Sequence, residues 1–537
     1  MKKKQAILSL DQEKAFDRVS KDFLHKTIQR NIGSGYANWI DLIYKEQEST
    51  LLINHTLTEP IQRAVRQGCP LSPLLYVLVL EPVLEEIRGD PDIKGTFLPG
   101  LGDKKLIAYA DDTIFFPSKN SSIKKILQTF QKYSTESGSK VNIQKSQIMG
   151  IGKWKNKTDF PFNLTQVNKM KLYGIHYLNS PLKTNKEIWH NITTEIKDRL
   201  QLYRYKTITF FGRSTVVNTY ITPRLLYTSN VFHPPPQVLT EINKNIRKFI
   251  FQNTIHAIKT KTLIQHKDGG RISLQDIKTR IQAQRIKYVG EIIKKPNEYP
   301  LAHYYIDLRL SSLHTVNNMT PHHFGTLPDF YKQCIQSIQG NEKTIQNPTK
   351  TIYRHLVTRQ EPPLHNRIKR GYTHFITDYS SIFRNLHRTQ TSTKAKEVMY
   401  RLLFSITPVA YRRTHKSQQT KCTLCRQNKQ ETEDHIFFHC NTISLALKSL
   451  QQTIFGNATN KVNMYKAIML NTIPHTNKNS YKTNLTLLAE FRYLIWICRN
   501  KAKHEQQRYN AGIFKHIYNQ KTAHITQRAA DSNTLSE

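Results

Sequence analysis

Tyr109-Ala110-Asp111-Asp112 sets two adjacent carboxylates at a tight turn between apolar stretches. A third carboxylate, Asp11, closes the apolar run Ala6-Ile7-Leu8-Ser9-Leu10. Three acidic groups able to meet in space can hold two Mg²⁺ ions, the minimal machinery for in-line nucleotidyl transfer. An isolated Asp-Asp pair is most often a solvated turn, so the reading depends on what accompanies it.

Phe16 follows Asp11 by five residues, where an aromatic plate can lie under an incoming sugar and reject a 2′-hydroxyl by bulk. Between the carboxylates runs Arg66-Gln67-Gly68-Cys69-Pro70-Leu71-Ser72-Pro73-Leu74-Leu75-Tyr76, a Gly/Pro-rich loop feeding an apolar helix that ends near Arg88. There Gly68 lets backbone approach a nucleotide and Gln67 can hydrogen-bond it. Around these segments Gln5 to Asp11 reads as a strand, and Ser20 caps a helix reaching Asn31 before the breaker Ile32-Gly33-Ser34-Gly35. Leu51-Leu52-Ile53 with Asn54-His55 reads as a hairpin, and Ser121 to Ser137 as a helix stopped by Gly138. The pattern predicts an α+β fold, an antiparallel sheet with helices, followed by mostly helical modules.

These segments, in this order, resemble the reverse transcriptase domain of LINE-type (non-LTR) retrotransposons. The resemblance implies a right-hand polymerase palm in which Asp11, Asp111 and Asp112 are catalytic carboxylates and Mg²⁺ ligands. It also implies that Phe16 is the steric gate, and that Arg66, Gln67, Gly68 and Tyr109 contact nucleotide or template. Ser137-Gly138-Ser139-Lys140-Val141-Asn142-Ile143-Gln144-Lys145-Ser146 is similar to the next polymerase motif, where Lys145 could protonate the leaving pyrophosphate; Lys140 is also available. Leu172-Tyr173-Gly174-Ile175 resembles the primer-grip hairpin, with its first two residues in the reverse of the family's usual order. Glu187 to Tyr203 and Gln237 to Phe251 have helical periodicity, separated by Phe211-Gly212-Arg213 and by Pro234-Pro235-Pro236, and the resemblance makes them a thumb. Arg199, Arg204, Lys206, Arg213, Arg224, Lys244, Arg247 and Lys248 are its candidate phosphate contacts.

A second constellation is Cys422-x2-Cys425-x9-His435-x4-Cys440. Three thiolates and an imidazole at this spacing match a closed, structural Zn²⁺ site, with His439 as the competing ligand. It resembles the CCHC element at the C-terminal end of LINE-type proteins. Lys421, Arg426 and Lys429 with Phe437 and Phe438 could grip phosphate and stack bases, or the aromatics could form the knuckle's small core.

The chain carries 80 Lys+Arg against 39 Asp+Glu, a net +41, which makes phosphate backbone the expected counter-surface. Residues 1 to 112 hold 15 basic and 16 acidic side chains, so the excess lies downstream of the carboxylates. Length suggests several domains: a palm over 1–180, thumb-like helices over 181–260, a basic helical connector over 261–415 with a glycine turn at Asp268-Gly269-Gly270, the zinc knuckle over 416–445 and a basic helical tail over 446–537. No apolar run is long enough for a membrane span, no signal-peptide core is present, and six cysteines fit a reducing cell interior, in nucleus or cytoplasm. The expected partners are an RNA template, a DNA primer and dNTPs, with no membrane. Against the family pattern, the fingers that precede the Asp11 strand are expected to be missing, as are the endonuclease and an RNase H quartet. The reading is therefore either an RNA-directed DNA polymerase or a catalytically inactive, nucleic-acid-binding remnant of one.

Overall fold

Strand β1 (Lys4–Gln12) alternates with period two: Ala6, Leu8 and Leu10 are buried while Asp11 is exposed. It lies at the centre of a five-stranded sheet with β6 (Leu106–Tyr109), β7 (Asp112–Phe115), β8 (Val141–Gly152) and β9 (Thr165–Gln166) in the order β6-β7-β1-β8-β9. All neighbours are antiparallel except β8 and β9. Leu8 and Leu10 share one core cluster with residues of helices α1 (Lys21–Asn31), α3 (Ser72–Gly89) and α4 (Asn120–Ser137), among them Leu24, Ile28, Tyr76, Val79, Ile126 and Phe130. Each such fully buried side chain contributes about 1.5–3 kcal/mol relative to exposure. One face of the sheet is thereby anchored, and the ends of β1 and β7 are left to carry polar groups.

The structure is a computed structural model that describes residues 3–44, 52–58, 69–98, 101–252, 258, 260–264, 272–306, 328–359, 379–410, 421–456, 461–474 and 478–534. Local signals set most boundaries here. Ser20 Oγ accepts the Phe23 N–H at 3.4 Å and opens α1. Gly33, at φ 128°, separates it from α2 (Ser34–Tyr44), so the break is Ile32-Gly33 and Gly35 lies inside a helix. Strands β2 (Leu52–Ile53) and β3 (Thr56–Leu57) pair around Asn54 and His55, both at positive φ, as a two-residue primed turn demands. Gly138 ends α4 at φ 77°, where a Cβ would lie 2.8 Å from the Arg18 carbonyl oxygen. Hairpin β4 (Thr96–Leu98) and β5 (Gly102–Lys104), then β10 (Lys169–Leu172) and β11 (Ile175–Leu178), complete the strands.

Two compact units result, Met1–Asn191 with Glu291–Lys332, and Ile192–Gly290 with Gln333–Glu537; helix α5 (Pro181–Arg204) runs through the boundary. The second unit is helical, with α6 (Phe210–Val216), α7 (Thr222–Ser229), α8 (Pro236–Phe251) and long C-terminal helices at Lys478–His504 and Ala511–Thr534. Phe211-Gly212-Arg213 proves to be the body of α6 rather than a separator. Its glycine is there for close approach, because a Cβ on Gly212 would meet Ile208 Cγ2 at 2.4 Å. Arg213 is likewise no phosphate contact: it is 6% exposed and donates to the Ile250 carbonyl at 2.8 Å. Asp268-Gly269-Gly270 lies outside the described residues. Among the described residues no helix is long and apolar enough to cross a membrane.

Candidate functional site

The β6–β7 hairpin pairs Tyr109 with Asp112 across a two-residue turn, Ala110-Asp111. Ala110 sits at φ 52°, a conformation that costs a residue with a Cβ about 1–3 kcal/mol and is retained where the surroundings enforce it. On the other side β7 pairs with β1 through Leu8↔Phe115, Ser9↔Ile114 and Leu10↔Thr113. Asp11 and Asp112 are the next residues beyond the last of these pairs, at the same end of the two strands. Since Leu10 and Thr113 point into the core, the period of two turns Asp11 and Asp112 to the opposite, open face. Asp11, Asp111 and Asp112 are all exposed, and none takes part in an ion pair found among the described residues. Burial, then the negative charges of Asp111 and Asp11, push the Asp112 carboxyl above its ordinary value. As the side chains stand, the trio is not gathered into a metal-holding group among the described residues.

Opposite β1, strand β8 bulges. Ser9 faces Gln147 and Asp11 faces Asn142, so Leu10 alone spans the stretch Ile143 to Ser146. Asn142 Oδ1 accepts the Lys145 N–H at 3.1 Å, and Lys145 is exposed on this bulge. Lys140 instead stands 3.4 Å from Glu13, which also binds Arg18 at 2.6 Å. Of the two candidate lysines, Lys145 is thus the one without an acidic side chain engaging it among the described residues.

Phe16 packs on Tyr76 with ring centroids 4.7 Å apart, and Tyr76 is fully buried under the site. Tyr109, 74% exposed, meets the edge of Tyr173 at 6.2 Å. Tyr173 and Gly174, at φ 47° and 78°, form the tip of the β10–β11 hairpin, and the pairing Leu172↔Ile175 shows that the reversed residue order leaves the hairpin register whole. Burial and the charge of Asp112 raise the Tyr173 phenol. Arg66, Gln67 and Gly68 lie outside the described residues.

In the second unit Cys422, Cys425, His435 and Cys440 converge, each offering an atom within 4.8 Å of the others. Among the described residues this is the one such group of three or more potential ligands. Cys425 Sγ lies 3.4 Å from His435 Nε2, while His439 is exposed and outside the group, so His435 is the imidazole of the set. Cys440 is drawn down by a hydrogen bond from Cys422, whose own thiol is pushed up to about 12. Phe437 is buried and Phe438 packs on Tyr465 at 5.1 Å, which makes these aromatics core.

Sequence reading missed the brace beneath this cluster. Glu431, wholly buried, pairs with buried Arg499 at 2.5 Å and also accepts from Ala410 N, Thr423 N and Thr423 Oγ1. Burial alone would raise the Glu431 carboxyl, but the Arg499 hydrogen bond and charge outweigh it and hold it below its ordinary value. Its contribution to stability is therefore present above the ordinary carboxylate value and lost as pH falls through the lowered one. Arg499→Leu should destabilise the second unit by about 3–5 kcal/mol, because it strands a buried charge. A loss below about 1 kcal/mol in denaturant titration would show the pair to be dispensable.

The family model described as "Reverse transcriptase (RNA-dependent DNA polymerase)" matches residues 1–179. The chain is 26% identical over 301 residues to the "Transposon TX1 uncharacterized 149 kDa protein" of Xenopus laevis, covering 53% of this chain and 22% of that one. It is 31% identical over 151 residues to a "Retrovirus-related Pol polyprotein from type-1 retrotransposable element R2" of Popillia japonica, covering 27% and 21%. A type-2 R2DM polyprotein of Drosophila melanogaster is 26% identical over 148 residues, covering 27% and 14%. The chain thus spans less than a quarter of the length of these three relatives. Residues 1–179 are thus similar to reverse transcriptase domains, and the chain resembles proteins named as coming from a TX1 transposon and from R2 retrotransposable elements.

Proposed function

We propose that the chain catalyses RNA-directed DNA synthesis, with Asp11, Asp111 and Asp112 holding two Mg²⁺ ions. The observation that carries this reading is the set of three exposed carboxylates at one end of the sheet, unpaired by any ion pair among the described residues of a chain whose net charge is +41. Groups that repel one another and lack a protein cation suit a dication. Bound there, Mg²⁺ would stabilise the attacking and leaving oxygens of an in-line displacement. Phe16, held by Tyr76, bounds the sugar; Lys145, on its bulge, donates a proton to the leaving pyrophosphate; Tyr109 and Tyr173 flank the primer end. Cys422, Cys425, His435 and Cys440 hold a structural Zn²⁺, a donor set and spacing that suit tetrahedral coordination. Helices over 181–260 act as a thumb, 261–415 as a basic connector and 446–537 as a basic tail. Extension of a DNA primer on an RNA template by the purified chain, dependent on Mg²⁺, tests the reading. No extension, with nucleic-acid binding retained, would leave the binding-only alternative.

The charge distribution adds an expected result. Binding to RNA or DNA should be sequence-tolerant and fall by about 10³-fold or more between roughly 50 and 200 mM salt, if about six phosphates are neutralised. An affinity that stays flat over that range, measured by filter binding, would remove nucleic-acid backbone as the counter-surface of the downstream basic region.

A further inference from the structure

Ser146 joins the two halves of the candidate catalytic site. It is wholly buried, and its hydroxyl is engaged on both sides, accepting the Asp11 N–H at 3.1 Å and donating to the Asn142 carbonyl at 2.7 Å. These bonds sit where the β1–β8 ladder is interrupted between Ser9 and Asp11. Asn142 in turn holds the bulge from inside, its Oδ1 accepting the Lys145 N–H. One hydroxyl therefore spans from the backbone of the first carboxylate to the base of the loop that presents the lysine, across 135 residues of sequence.

We propose that Ser146 is a positioning residue, which holds Asp11 in register with Asp111 and Asp112 and fixes the Lys145 bulge beside them. The inference rests on the polymerase reading above. The bulge interrupts the β1–β8 ladder between Ser9 and Asp11, so the pairs Asp11↔Asn142 and Gln12↔Val141 are cut off from the main ladder, and Asp11 is the last exposed position before β1 ends at Gln12. The Ser146 hydroxyl, by accepting the Asp11 N–H, ties the point where the ladder resumes to the far end of the bulge. Without it, the Asp11 amide is buried against an alanine methyl and the carboxylate loses its fixed distance to the β7 pair. Metal sites tolerate little such drift, because the supporting groups set ligand orientation.

Mn²⁺ binding to the full chain, followed by electron paramagnetic resonance, tests this without requiring turnover. Ser146→Ala should weaken Mn²⁺ binding by about tenfold, the loss expected for one buried hydrogen bond, while circular dichroism stays that of the wild type. Ser146→Thr, which keeps the hydroxyl, should restore most of it. In primer extension the same alanine variant should raise the half-saturating Mg²⁺ concentration more than it lowers the rate at saturating Mg²⁺. A merely structural serine would lower thermal stability and leave Mn²⁺ affinity unmoved, and that outcome overturns the inference while the polymerase reading stands. Wild-type protein that binds no Mn²⁺, or whose binding survives Asp11→Ala, would overturn both. Should Ser146→Ala fail to fold, Ser146→Cys, whose sulfur is only a weak acceptor for the Asp11 N–H, serves in its place, with weakened Mn²⁺ binding expected and unchanged binding contrary to the proposal.

Discussion

Asp111→Asn should lower Mg²⁺-dependent primer extension by at least about 10³-fold while leaving the fold intact. A dication at a developing charge is worth several kcal/mol of barrier, and each 1.36 kcal/mol is a factor of about ten. Asparagine keeps the shape and removes the charge that Mg²⁺ needs. Stability should move the other way or not at all. Asp111 is exposed in the β6–β7 turn, and its charge pushes up the neighbouring Asp112 carboxyl, so its removal relieves repulsion. A variant at least as stable as the wild type and inactive would mark Asp111 as functional rather than structural. Asp11→Ala should be as damaging to synthesis. Extension within tenfold of wild type in either variant would end the two-metal assignment.

The parts of the fold that could be read in advance are those decided by neighbours in sequence. Ser20 opens α1 because its hydroxyl reaches an amide three residues on, and Gly138 closes α4 because the chain needs positive φ there. The hairpin at Asn54-His55 and the β6–β7 turn follow the same logic, since two-residue turns admit few residue types. Asp11, Asp111 and Asp112 could be read from sequence as one candidate site because Phe16 and the Gln67-Gly68 loop accompany them in the order the resemblance requires. The Cys/His spacing was legible because four soft ligands at such intervals have few other uses.

What escaped the sequence depends on contacts with no local signature. The Ser146 hydroxyl meets an amide 135 positions away, and Glu431 meets Arg499 across 68. Nothing in Glu431-Thr432-Glu433 distinguishes a buried glutamate from a surface one until helix Lys478–His504 brings Arg499 to it. Arg213 misled for a related reason: an arginine in a basic helical region reads as solvent-facing, yet its side chain is spent on the Ile250 carbonyl at the end of α8. Gly212 reads as a breaker, at a cost of about 1 kcal/mol in a helix, yet the Ile208 side chain occupies the space a Cβ would fill.

Removing the proposed zinc should cost the second unit more than any single packing change. Structural Zn²⁺ sites bind with about 10–16 kcal/mol at neutral pH in isolated peptides, against a net stability of about 5–15 kcal/mol for a domain. Here the ligands also join local structures. Cys422 N bonds Lys429 O at 2.8 Å within a small loop, His435 opens a helical turn that ends at His439, and Cys440 leads directly into helix Ser444–Phe455. Without an ion, buried Cys422 and Cys440 would have only each other, His435 and neighbouring backbone as partners. Cys440→Ser should therefore abolish binding of about one equivalent of zinc and lower the unfolding temperature of this unit. His439→Ala should do neither, since that ring is exposed and outside the ligand group. Metal analysis with calorimetry checks both variants. Zinc retained by Cys440→Ser, or lost in His439→Ala, would mean that the converged side chains are not the ones that hold the metal.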